Sequence, residues 1–143
     1  MIKMMSFILL TLLLSCCEGH DDKPLIKSFF SDLQRIQSID ILADTYFTHA
    51  DQHNRLTDEQ RDFLVTLINS LKERVKQEDV NELEIESLNN PSSFILDDRS
   101  LLKDMYTVKL GEQFICDIWI EDSKIKSFST LNKGDKRYFM PIY

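Results

Sequence analysis

His49 and His53 stand four positions apart with Asp44 and Asp51 close by, and on a helix such a pair would share one face with carboxylates near enough to complete a metal set. The stretch that carries them reads instead as a polar connector between two helices, so no metal is assigned to it. As a calcium loop counted from Asp51 it fails sooner: its third and fifth positions are His53 and Arg55, which supply no oxygen ligand, and the turn glycine is missing. Cys116 is a nucleophile by type, but no base is placed beside it by sequence, and a buried thiol without one is inert. Its setting among alternating apolar residues suits a small core side chain. Ser127 and Ser129 lack the glycines of a nucleophile elbow.

Two aromatic residues remain as candidates for binding a ligand, Tyr46 and Trp119. Tyr46 could line a pocket with Asp44 or His49 at its mouth, an acid–base set; the alternative is a core tyrosine whose hydroxyl reaches the rim. Trp119, Tyr106 and Phe128 could fall on one face of adjacent strands. Exposed, that face would bind a protein; covered, it would be the second side of a two-sided core. No cofactor motif is present.

A further reactive residue is Cys16. Lys3 is the only charge ahead of an apolar stretch, Phe7 to Leu14 interrupted by Thr11, that ends at Ser15, Cys16 and Cys17. That is a signal-peptide layout, and Met4 to Cys17 is too short to cross a hydrocarbon core that needs about 20 apolar residues. Leu13, Leu14, Ser15 and Cys16 resemble the bacterial lipobox, with a Leu three positions before the Cys and a small residue just before it. Reading from Cys17 is the poorer fit. The resemblance implies that residues 1–15 are a leader removed on export and that Cys16 carries palmitate-type acyl chains. Each buried methylene adds about 0.8 kcal/mol, so three chains would anchor the protein permanently in the cell envelope, at the outer membrane if the source has two. Residues 16–23, short and acidic, read as the tether.

Formal net charge is −7, and losing Lys3 with the leader makes the remainder more acidic still. Such a surface repels phosphate backbones, and no basic cluster with interleaved aromatics offsets it, so nucleic acid is excluded as a partner. With Cys16 consumed by lipid, Cys17 beside it and Cys116 far away, no disulfide framework is legible. Residues 24–143 suffice for one domain.

Helices must come first. Leu25, Ile26, Phe29, Phe30, Leu33 and Ile36 recur at helical spacing behind Asp22 and Pro24. Ser38 caps a shorter helix bearing Ile39, Leu42, Ala43, Tyr46 and Phe47. Thr57 and Gln60 form a capping box ahead of a stripe of Phe63, Leu64, Leu67, Ile68, Leu71 and Val75. From residue 80 the period becomes two: Leu83 and Ile85 between glutamates, a short strand at Phe94 to Leu96, then Met105 to Leu110, Phe114 to Ile120, Ile125 to Leu131 and Arg137 to Ile142. Phe114, Cys116, Ile118 and Ile120 are expected on one face, with Ile115, Asp117 and Trp119 on the other. Helices followed by an antiparallel meander make an α+β fold, helices covering one face of a curved sheet.

Element order over residues 24–143, with the strand pair around Trp119 and Lys124, resembles the nuclear transport factor 2-like, or cystatin-like, cone domains found in many small bacterial lipoproteins. The resemblance implies a pocket between sheet and helices, in a superfamily that holds both enzymes and pure binding modules. Because the apolar strand face lacks a carboxylate or histidine, the expected function is a lipid-anchored, non-catalytic module binding a protein partner or a small apolar ligand. The alternative is a pocket isomerase, dehydratase or hydrolase using Tyr46.

Overall fold

Pro24 in the first turn and apolar residues every three to four positions after it produce α1, Lys23–Arg35, with Ile26, Phe29, Phe30 and Leu33 buried. The computed structural model describes residues 21–47, 56–88, 104–133 and 136–140. Cys16, Cys17, His49, Asp51, His53 and the strand expected at Phe94 to Leu96 lie outside them. Asp22 starts α1 without a side-chain cap bond. It is only 5% exposed, and its carboxylate faces the Tyr106 hydroxyl at 3.5 Å. Asp22 and Lys23, counted with the tether above, are thus part of the folded body.

Ser38 precedes α2, Ile39–Tyr46, which buries Leu42, Ala43 and Tyr46. Both arms of the capping box open α3, Asp58–Val75: the Gln60 amide donates to Thr57 Oγ1 at 3.2 Å and the Thr57 amide to Gln60 Oε1 at 2.9 Å. Its buried seam is Leu64, Ile68, Leu71 and Val75. Phe63, read as part of that stripe, lies beside the seam and is exposed. The helix ends of α1 and α3 satisfy each other. Gln34 donates its amide to the carbonyls of Val75 and Glu78, and Lys72 donates to the carbonyl of Ile36 at 2.9 Å.

A single 3₁₀ turn at Val80–Glu82 leads into β1, Leu83–Ser87, followed by β2, Met105–Leu110, β3, Gln113–Glu121, and β4, Lys124–Ser127. These pair antiparallel in the order β1-β2-β3-β4. The architecture is α+β, three helices against a curved antiparallel sheet, in agreement with the sequence pattern. Asp122 and Ser123 both hold positive φ, 51° and 59°, the geometry that lets a two-residue turn follow the twist of β3 and β4. β1 is an edge strand whose glutamates face water, with Lys109 bonded to Glu86 at 2.9 Å. β5, Thr130–Lys133, and β6, Lys136–Phe139, form a separate ribbon.

β3 departs from strict alternation. Cys116 pairs with Val108 but Phe114 pairs with Lys109, so Ile115 is an extra residue bulging from the ladder. Cys116, Ile118 and Ile120 keep the expected inner face, Ile115 joins them in the core, and Phe114 is turned to the other face, 42% exposed. The period-two reading of Phe114 is corrected by that one inserted residue. A second register step at Lys126 separates the pairs Trp119 with Ser127 and Ile120 with Ile125.

Thr57→Ala removes an N-cap acceptor and is expected to cost about 1 kcal/mol, against roughly 2–5 kcal/mol for Ile68→Ala in the buried seam. Urea denaturation of both variants checks the order; equal losses would mean that α3 does not depend on its cap in this way.

Candidate functional site

The space between helices and sheet is filled by rings. Phe29 lies edge-on to Phe30, Tyr46 and Phe47, at centroid distances of 5.4, 5.2 and 5.5 Å, and both Phe29 and Phe47 reach Phe128, just beyond β4, at 6.2 and 5.5 Å. Aromatic side chains therefore occupy the region where the cone resemblance implied a pocket.

Tyr46 is 4% exposed, and its hydroxyl donates to Asp32 Oδ2 at 2.8 Å while Arg35 donates to Asp32 Oδ1 at 2.7 Å. Burial, and then the bond to Asp32, push the Tyr46 hydroxyl far above its usual range. The hydrogen bonds from Arg35 and then Tyr46 hold Asp32 below its usual range. The partner of Tyr46 is thus Asp32 of α1, whereas the sequence suggested Asp44 or His49; Asp44 is exposed on α2. Asp32 was missed because only the packing of α1 on α2 brings it there. The one local sign was its spacing of three from Arg35.

Trp119 lies on the opposite face of the sheet, its ring 6.2 Å from that of Phe139 in β6, and its buried Nε1 has no hydrogen-bond partner. Tyr46 and Trp119 are not brought together. Tyr106 pairs with Ile118 on the inner face and Phe128 joins the ring cluster, so the three aromatics weighed as one patch are divided between two sides. Trp119 is partly covered by the ribbon, whose base is held by the Ser127 hydroxyl against the Met140 carbonyl at 2.6 Å.

A cleft of about 220 Å³ opens where α3 passes β3 and the chain leaving β4. On α3, Leu67, Ser70, Leu71 and Arg74 fall on one flank at spacings of three and four. On β3 the bulge sets Ile115 into the floor and Phe114 at the mouth, and Phe128 to Thr130 close the far wall. Cys116 also borders the cleft, but burial, followed by the charge of Asp117, pushes its thiol far above the usual range, with Arg74 acting in the opposite sense. A thiol held protonated in this way is a poor nucleophile. Asp117 accepts a hydrogen bond from Thr107 Oγ1 at 2.7 Å on the other face.

Another hollow, about 370 Å³, is bordered by Asp22, Asp104, Glu121 and Asp122. Asp22 also faces Tyr106, whose hydroxyl is raised by burial and then by the Asp22 charge. Among the described residues no group of three or more His, Cys, Asp or Glu is arranged to hold a metal ion. Protein-family models, curated proteins and solved structures were all compared with the chain, and none matches it.

The Tyr46–Asp32 pair makes stability depend on pH at both extremes. Asp32 binds its proton more weakly in the folded state, so its contribution is complete above its usual 3.8 and is lost as pH falls through the lower folded value. Tyr46 holds its proton more tightly when folded, so its contribution is complete below its usual 10.0 and declines as pH rises beyond it. Tyr46→Phe is expected to cost roughly 1 kcal/mol at neutral pH and to flatten the alkaline decline, leaving the parts due to Tyr106 and Cys116. Urea midpoints measured from acid to strongly alkaline pH check this; an unchanged alkaline limb would refute it.

Proposed function

We propose that this chain is a lipid-anchored binding module of the cell envelope, held at the membrane through Cys16 and taking a small, largely apolar ligand in the cleft between α3 and β3. The anchoring part is supported by the sequence alone: a thiol at the end of a short apolar run, behind Leu13 and Ser15. Among the described residues no helix is long and apolar enough to cross a membrane.

The cleft carries the binding part of the reading. It is a concave site lined by apolar and polar side chains together, Leu67 and Phe114 beside Ser70, Arg74 and Thr130. Catalysis through Tyr46 fits the geometry less well, since its hydroxyl already donates to Asp32 inside the helical layer and resists ionisation. Helices followed by a meander, bent at two register steps, also suit the cone-type reading of the body, which we retain as part of the proposal. An acidic surface leaves nucleic acid the least suited of partners.

Cys16→Ser should abolish acylation and release the protein from the membrane fraction. Intact mass measured on material from native cells is expected to show a chain that begins at Cys16 and carries acyl groups. A chain retaining Met1 and lacking fatty acid would overturn the anchoring half while leaving the cleft to be judged separately.

A further inference from the structure

Resting on the cleft-binding reading above, the distribution of basic side chains narrows the ligand to one chemical class. Arg35, Arg61, Lys76, Lys109 and Lys126 each face a carboxylate. Lys72 and Lys124 each donate to a backbone carbonyl. Arg74, Lys23 and Lys27 have no carboxylate paired with them among the described residues, and of these three Arg74 borders the cleft, one turn after Ser70. Its charge reaches the cleft interior, since it acts on the Cys116 thiol at the border. Asp117 also lines the cleft, and its carboxylate is engaged by the Thr107 hydroxyl, which donates to it at 2.7 Å. The cleft therefore presents a guanidinium at one end of an apolar trough formed by Leu67, Leu71, Ile115 and Phe128.

We propose that the cleft binds small amphiphilic monoanions: an apolar body ended by a carboxylate, about seven or eight water-sized groups in all at roughly 30 Å³ each. The apolar body lies along the trough between α3 and β3, and Phe114 closes over its exposed side. The carboxylate meets the planar fork of Arg74, which can donate two parallel hydrogen bonds, with the Ser70 hydroxyl as a further donor. A neutral isostere fills the same trough but leaves Arg74 without its partner, and a cationic one places like charges together. Because the chain as a whole is acidic, with a formal charge of −7, its overall field does not attract anions, and selectivity has to come from this local contact.

The test uses the full chain, isotope-labelled and inserted in phosphatidylcholine nanodiscs, titrated with octanoate, 1-octanol or octylamine while empty nanodiscs measure partitioning. Amide resonances of residues 67–74 and 114–116 are expected to shift, with octanoate binding about tenfold more tightly than octanol and octylamine weakest. Arg74→Gln, an exposed position whose folding the same spectra verify, should erase the octanoate advantage and leave octanol unchanged. Ser70→Phe, also exposed, should fill the trough and remove both. Equal affinity for octanoate and octanol, both lost in Ser70→Phe, would overturn the anion preference and leave the cleft as a neutral apolar site. No shift at these residues with any probe would overturn the inference together with the cleft half of the proposed function, and the mass of the Cys16 chain would still report independently on the anchor.

Discussion

The contact of Phe29 with the rings around it is the interaction on which the rest of the fold depends. Phe29 belongs to α1, Tyr46 and Phe47 to α2 and its end, and Phe128 to the chain leaving β4, so one buried ring ties two helices to the β4 end of the sheet. Each such ring removes a large apolar area from water, at roughly 25 cal/mol per Å², and edge-on geometry adds a smaller directional preference. The stretch Leu25 to Ile36 cannot hide its apolar stripe alone, and neither can the inner face of β2 and β3. Their mutual burial is what makes both elements persist.

Filling the centre with rings has a consequence for chemistry. A group that must meet a ligand cannot sit where Phe29 and Phe47 sit, and on the proposed reading recognition lies at the margin where α3 runs past β3. There the bulge at Ile115 matters more than any single polar residue. With strict alternation Phe114 would lie inside and Ile115 outside; the inserted residue buries Ile115 and sends Phe114 to the mouth of the cleft. The same rearrangement leaves Cys116 deep in apolar surroundings, where its thiol is protonated and quiet.

Charge is managed locally in the body. The acids outnumber the bases, yet several bases are engaged one at a time by neighbouring carboxylates or helix-end carbonyls. Exposed pairs of this kind contribute little to stability. The network of Tyr46, Asp32 and Arg35 differs because Tyr46 is buried, so its hydroxyl depends on Asp32 for a partner. On the proposed reading, an acidic body at a membrane surface keeps its distance from anionic headgroups and relies on the acyl chains alone for attachment.

Much of the architecture was legible in the residue order, because local periodicity and caps act over a few positions. Thr57 with Gln60 announced the start of α3, Leu64, Ile68, Leu71 and Val75 its buried seam, and the glutamates alternating with Leu83 and Ile85 a strand with one wet side. The leader expected ahead of Cys16 rests on a short pattern of the same local kind and lies outside the described residues. What the tertiary structure alone decided depends on contacts between distant residues. Examples are the bulge that reverses Phe114 and Ile115, the pairing of Tyr46 with Asp32, and the placement of Trp119 and Tyr106 on opposite faces. The meeting of Arg74 with an apolar trough is of the same kind. A strand pattern carries no mark of where its partner skips a residue, and a helix carries none of which neighbour its polar edge will touch, because both are set by how the whole chain packs.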